Sequence, residues 1–129
     1  MAVLGSPAWL EQAHDPAAAV LAAAGDAVRV QYVVPAGPDG EVRYATVVAA
    51  DGSIDEPAGD IADPDVTLTI TYPEAVAIVH GEVSPNASFM RGRTKVAGHT
   101  GVLLRLLAAA QDPAYEAART ELAARTDPV

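Results

Sequence analysis

The tightest constraint in this sequence lies at residues 65–71. Val66, Leu68 and Ile70 alternate with Thr67, Thr69 and Thr71 behind Asp65, the period-two pattern of a strand with one buried face. Thr71-Tyr-Pro-Glu74 follows at once and matches a capping box, with Thr as cap and Glu three positions later. A helix is therefore expected over Tyr72–His80, with Ala75, Val76, Ile78 and Val79 on its apolar side and Gly81 as its stop. A strand that runs straight into an amphipathic helix demands a sheet with helices packed on it.

The rest of the chain fits that demand. Ser6-Pro7 and Asp15-Pro16 are helix starts; Trp9, Leu10 and Ala13 recur at helical spacing after the first, and Gly25 stops the second. Residues 26–34 alternate, with Val28, Val30, Tyr32 and Val34 on one face. Pro35 to Gly40 is dense in turn residues, and Glu41–Ala49 alternates again, so an antiparallel hairpin is expected. Ser84-Pro85 opens a short helix through Met90. A strand over Arg91–Ala97, a turn at Gly98–Gly101 and an apolar helix over Val102–Gln111 follow, and Asp112-Pro113 caps a last helix reaching about Arg125. Grouped hairpins with helices elsewhere predict an α+β fold with a mainly antiparallel sheet. No repeat or long linker divides the chain, so residues 1–129 are expected to form one domain.

Composition says what the core is made of. Half the residues are apolar, yet only 5% are aromatic, and Ala, Val and Leu dominate. Small side chains leave either a thin core or internal space, and a space lined by apolar groups stays dry and accepts an apolar guest. The net charge of −9 argues against nucleic-acid binding, which needs phosphate-neutralising cations, and against an anionic membrane surface. Cys is absent, which removes thiol chemistry and fits a reducing cytoplasm. No apolar run reaches the roughly 18–20 residues of a membrane span. No Lys or Arg precedes Arg29, unlike a secretory signal, and Thr-Asp-Pro-Val is not a peroxisomal address. A cytoplasmic location is the expectation.

The spacing of the polar residues matches no common reactive constellation. Asp51 to Asp65 is rich in acids, but Glu56 stands where a calcium loop needs Gly and Ala62 where it needs the closing Glu. A solvated loop with a short strand near Ser53–Glu56 is expected instead. His14, His80 and His99 have no metal-ligand spacing. None of Ser6, Ser53, Ser84 and Ser88 sits in a nucleophile elbow, and Arg91-Gly-Arg-Thr lacks the length and Lys of a phosphate loop. No catalytic, cofactor or metal residues are assigned. Arg91, Arg93 and Lys95 would share one strand face, either as an anion contact or as a solvated edge, the latter being favoured. Arg105 either snorkels to solvent or stands at a pocket mouth.

Asp65-Val-Thr-Leu-Thr-Ile, Gly81, Pro85, Ala87, Phe89-Met90-Arg91-Gly92, Lys95-Val96, Gly98 and Leu103 through Leu107 together resemble the sterol carrier protein 2 family. The likeness is strong over about a third of the chain and holds elsewhere in element order. It implies a five-stranded, mainly antiparallel sheet covered on one face by helices, with an apolar tunnel between them for sterols, fatty acids or fatty acyl groups. Carried over by position, Val76, Val79, Phe89, Met90, Val96, Leu103, Leu106 and Leu107 are the residues implied to line it. The helix after the strand carries Ala and Val where relatives often have bulkier Phe and Leu. The missing peroxisomal terminus points to a bacterial, cytosolic relative.

Three functions follow from these readings. The first is non-catalytic binding, with transfer, of an apolar lipid-like molecule. The second is an interaction or dimerisation module with a collapsed cavity, allowed by small Ala75 and Ala77. The third, least favoured, is an enzyme built on the cavity with His99, Arg105 or a carboxylate.

Overall fold

The computed structural model describes residues 1–12 and 14–128; the expected apolar position Ala13 lies outside them. Among the described residues, six helices and five strands follow in the order α1 (Pro7–Gln12), α2 (Pro16–Ala23), β1 (Val28–Gly37), β2 (Gly40–Val48), β3 (Ile54–Asp55), β4 (Val66–Ile70), α3 (Tyr72–Val79), α4 (Pro85–Met90), β5 (Thr94–Gly98), α5 (Thr100–Ala109) and α6 (Pro113–Arg125). The fold is α+β. One sheet runs β3-β2-β1-β4-β5. Its pairings are antiparallel except β1 with β4, which are parallel.

Register builds the inner face in rows. Tyr44, Tyr32, Leu68 and Val96 are successive partners across β2, β1, β4 and β5. Thr46, Val30 and Val66 form the row on one side, and Ile70 pairs with Thr94 on the other. Directly paired residues project from the same face, so these side chains meet the helices. Gln31, Thr67, Thr69 and Lys95 fall on the opposite face. Gln31 is nonetheless buried. Its amide nitrogen donates to the carbonyls of Tyr44 (3.0 Å) and Gly59 (3.1 Å), and its oxygen accepts from the Ile61 backbone N–H (2.8 Å). That side chain fastens the acidic loop to the outer face of the sheet.

Several helix starts form as their sequence dictates. Asp15 Oδ1 accepts from Ala17 N–H (3.0 Å), Ser84 Oγ from Ala87 N–H (3.1 Å), and Asp112 Oδ1 from Ala114 N–H (2.8 Å), each with Pro following the cap. His99 Nδ1 caps α5 by accepting from Val102 N–H at 3.3 Å, so His99 has a structural duty.

The structure corrects four local expectations. The capping box at Thr71 does not form: the Thr71 side chain makes no cap bond, while Glu74 is buried and reaches Arg93 at 3.6 Å. β1 extends through Pro35 to Gly37 with Ala36 at φ 65°, because the irregularity between Val34 and Gly37 lets the strand continue past its Pro. β5 begins at Thr94, so Arg91 and Arg93 lie in the preceding turn and do not share a strand face with Lys95. The acidic loop is not wholly solvated, since the Glu56 side chain is 3% exposed.

Gly98 shows why β5 approaches β4 so closely at its end. A Cβ there would stand 2.5 Å from Asp65 O, and the residue sits at φ +121°, a region that glycine alone occupies comfortably. At the termini, Trp9 Nε1 donates to Thr126 Oγ1 at 2.8 Å, and Ala2 bridges Thr126. These contacts close the helical layer around Leu4, Leu21 and Leu122, which belong to one core with the inner sheet face.

Candidate functional site: an apolar cavity with a polar end

The helices do not fill the inner face of the sheet. A cavity of about 120 Å³ remains between them. β4 contributes Leu68 and Ile70; α3 contributes Ala75, Ile78 and Val79; α4 and α5 contribute Phe89, Leu103, Leu106 and Leu107. Ala75 sits where a larger side chain would occupy the space. Small Ala75 shares this lining with Leu103, Leu106 and Leu107 of α5.

The residues implied to line a tunnel divide by position. Val79, Phe89, Leu103, Leu106 and Leu107 stand together on the cavity wall. Val76 is buried in the core but off the wall, and Val96 is half-buried on the edge strand and packs against the core. Met90 is 80% exposed at the end of α4. Arg105 is off this wall and lies 3.5 Å from Asp26 on the surface.

Part of the lining is of a different character, and sequence reasoning missed it. Trp9, Tyr32, Tyr44 and Tyr115 line it together with Asp15 and Arg119. The Tyr32 and Tyr44 rings stack with centroids 4.9 Å apart, and Trp9 meets Tyr44 edge-on at 5.4 Å. Asp15 Oδ2 accepts the Tyr32 hydroxyl hydrogen bond and a longer one from Thr46 Oγ1 at 3.4 Å. Behind Asp15, its backbone N–H donates to Glu56 Oε1 at 2.8 Å, and His14 Nδ1 is 3.6 Å from the same oxygen. Glu56 Oε2 is buried without a hydrogen-bond partner among the described residues.

Burial governs the electrostatics here. It raises Asp15 above the usual carboxylate range, against the opposing pull of its Tyr32, Ala17 and Thr46 hydrogen bonds. Burial, and next the Asp15 charge, pushes Glu56 up to about 8. Glu56 therefore holds a proton at neutral pH. The Tyr32 and Tyr44 phenols are raised well above their ordinary value by burial and the Asp15 charge, and stay neutral.

Arg119 is the cation of the lining, yet it is committed. Its Nε and Nη2 bond Glu116 at 2.9 and 2.6 Å, and Nη1 donates to Val79 O at 2.8 Å. Gly81 makes room for this, because a Cβ there would lie 2.9 Å from the guanidinium carbon.

One five-stranded sheet, covered by helices around an apolar cavity, makes this an α+β domain. The profile of the SCP-2 sterol transfer family matches residues 8–125, and the chain belongs to that family. A possible sterol carrier protein from Thermus thermophilus superposes with a TM-score of 0.65 at 20% identity, over 98% of this chain and 92% of that one. A palmitated sterol carrier protein 2-like protein from Aedes aegypti gives 0.58 at 14% identity, over 78% and 96%. A sec-alkylsulfatase from Pseudomonas gives 0.53 at 16%, over 78% of this chain but 15% of the enzyme, so the same fold also occurs as a small part of a larger enzyme. No curated protein matches the sequence. Among the described residues, no helix is long and apolar enough to cross a membrane.

Proposed function

We propose that this protein binds an apolar, lipid-like molecule, sterol-like or acyl, in the cavity between sheet and helices, without catalysis, and carries it in the cytoplasm of a bacterium. The observation that carries the reading is the cavity itself. Leu68, Ile70, Ile78, Val79, Phe89 and Leu106 surround a space held open between packed layers, in a chain of a sterol transfer family. Apolar surface moved from water into such a space gains about 25 cal/mol per Å² before ordering costs. The presence of this space favours binding over a module with a collapsed cavity.

At about 120 Å³ the space is smaller than the roughly 300–1,000 Å³ of typical ligand pockets. Occupation by a whole lipid therefore requires the helical layer to open into an extended passage. α4 is the element suited to move: of its six residues Ser88 alone is buried, and elements with few buried contacts open at low cost.

Displacement of a fluorescent fatty-acid or sterol probe from delipidated protein tests the proposal, with native mass spectrometry reading stoichiometry. One bound probe per chain is expected. Replacing Leu103 by Trp, which fills the cavity from α5, is expected to weaken binding at least about tenfold while thermal unfolding stays cooperative. A folded sample that binds no acyl or sterol probe would overturn the reading.

A further inference from the structure

The two edges of the sheet are finished differently. At one, β3 is only two residues long, and the chain runs on to cover β2: Ala45 N–H donates to Pro57 O at 3.0 Å, and Gly59 N–H to Arg43 O at 2.8 Å. At the other edge stands β5, with β4 as its one strand neighbour among the described residues. An edge strand turns a row of backbone N–H and C=O groups outward, ready to pair with another chain. Lys95, Ala97 and Gly98 are exposed and Val96 is half-buried, so most of β5 is open to approach.

Charge says what would pair there. Arg91, Arg93 and Lys95 lie close together in a chain that has eight Lys and Arg and a net charge of −9. All three are exposed. Arg93 is 3.6 Å from Glu74, while Arg91 and Lys95 join no ion pair among the described residues. The β4 partners of Lys95 and Ala97 are Thr69 and Thr67, which are neutral and leave the ammonium uncompensated.

We infer that the outer edge of β5 docks an extended acidic segment of a partner protein, which joins the sheet as a sixth strand. Main-chain hydrogen bonds supply affinity in this mode, and alternate side chains supply specificity. A strand laid beside β5 shares its alternation of faces. On the outer face its side chains meet Lys95 and gain from being acidic. On the inner face they meet half-buried Val96 and gain from being apolar. A second copy fits less well, because its β5 edge brings the same cations and its β3 edge is short.

The bland role of Lys95 is to guard the edge against self-pairing, and a guard binds no peptide. The test titrates isotopically labelled protein, at low ionic strength, with acetyl-Glu-Val-Glu-Val-Glu-Val-amide and with its fully N-methylated analogue. The analogue keeps the charges and loses the main-chain donors. Saturable amide shifts centred on Thr94–Gly98 are expected with the first peptide. N-methylation and Lys95→Glu are each expected to weaken binding at least about tenfold. Equal binding of the two peptides, no binding of either, or full affinity in Lys95→Glu would overturn the inference. The peptide comparison on native protein decides even if the variant does not fold. A dimer joined through β5 in native mass spectrometry would also overturn it, by giving the edge to a second copy. Shifts at β5 with phosphatidylglycerol vesicles but not with peptide would do so by giving it to a membrane.

Discussion

Tyr32 donates its hydroxyl hydrogen to Asp15 across the gap between β1 and the cap of α2, so one bond ties the sheet to the helical layer at the cavity's edge. The bond lies inside the protein, where a lost donor is not replaced by water. Tyr32→Phe leaves Asp15 with the Ala17 and Ala18 N–H groups and the long Thr46 contact. The expected cost is about 1–3 kcal/mol, the penalty for a buried acceptor deprived of its partner, read from urea unfolding. Stability unchanged within error would show that the two layers do not depend on this bond.

Glu56 makes stability depend on pH. Its carboxyl is raised from 4.5 to about 8 by burial and then the Asp15 charge; Arg125 opposes and Asp55 adds to the shift. The folded state therefore holds a proton that the unfolded chain releases near 4.5. Between these values the native state binds more protons, so this group's contribution falls as pH rises through the window. Asp15, also raised, acts in the same direction. The melting temperature is expected to drop between pH 5.5 and pH 8.5, and Glu56→Gln is expected to flatten the drop. A slope of opposite sign, or one unaffected by Glu56→Gln, contradicts this.

Ser88 and Thr94 share a buried hydroxyl–hydroxyl hydrogen bond of 2.7 Å, which pins α4 to β5. Ser88→Ala strands the Thr94 hydroxyl, at an expected cost of about 1–3 kcal/mol. If α4 is the moving wall, the same variant accelerates probe release in stopped flow. Slower or unchanged release would place the access route elsewhere.

The fold was largely legible because its signals are local. Asp15-Pro16, Ser84-Pro85 and Asp112-Pro113 announce helices by cap chemistry, and alternation announces β1, β2 and β4. Failures came where tertiary contact overrode a local rule: Glu74 left its expected capping role for a buried place near Arg93, and β1 passed through Pro35. The apolar half of the site was legible for the same reason, since Phe89, Leu103, Leu106 and Leu107 share elements with clear periodicity. The polar half was not. Asp15 reads locally as a cap, Tyr32 and Tyr44 as strand residues, and Glu56 as part of an acidic loop. They meet because β1 pairs with β2 in one register and α2 packs against β2 and β3, and spacing along the chain carries no such information.

The central claim is that the space between sheet and helices holds an apolar guest, and intermolecular nuclear Overhauser effects test it most directly. Delipidated protein with labelled methyl groups would be titrated with a medium-chain alcohol. The account expects contacts from the alkyl chain to Leu68, Ile78, Leu103 and Leu106. Saturable binding with contacts confined to exposed Met90 and Leu104, or no binding by the folded protein, would contradict it.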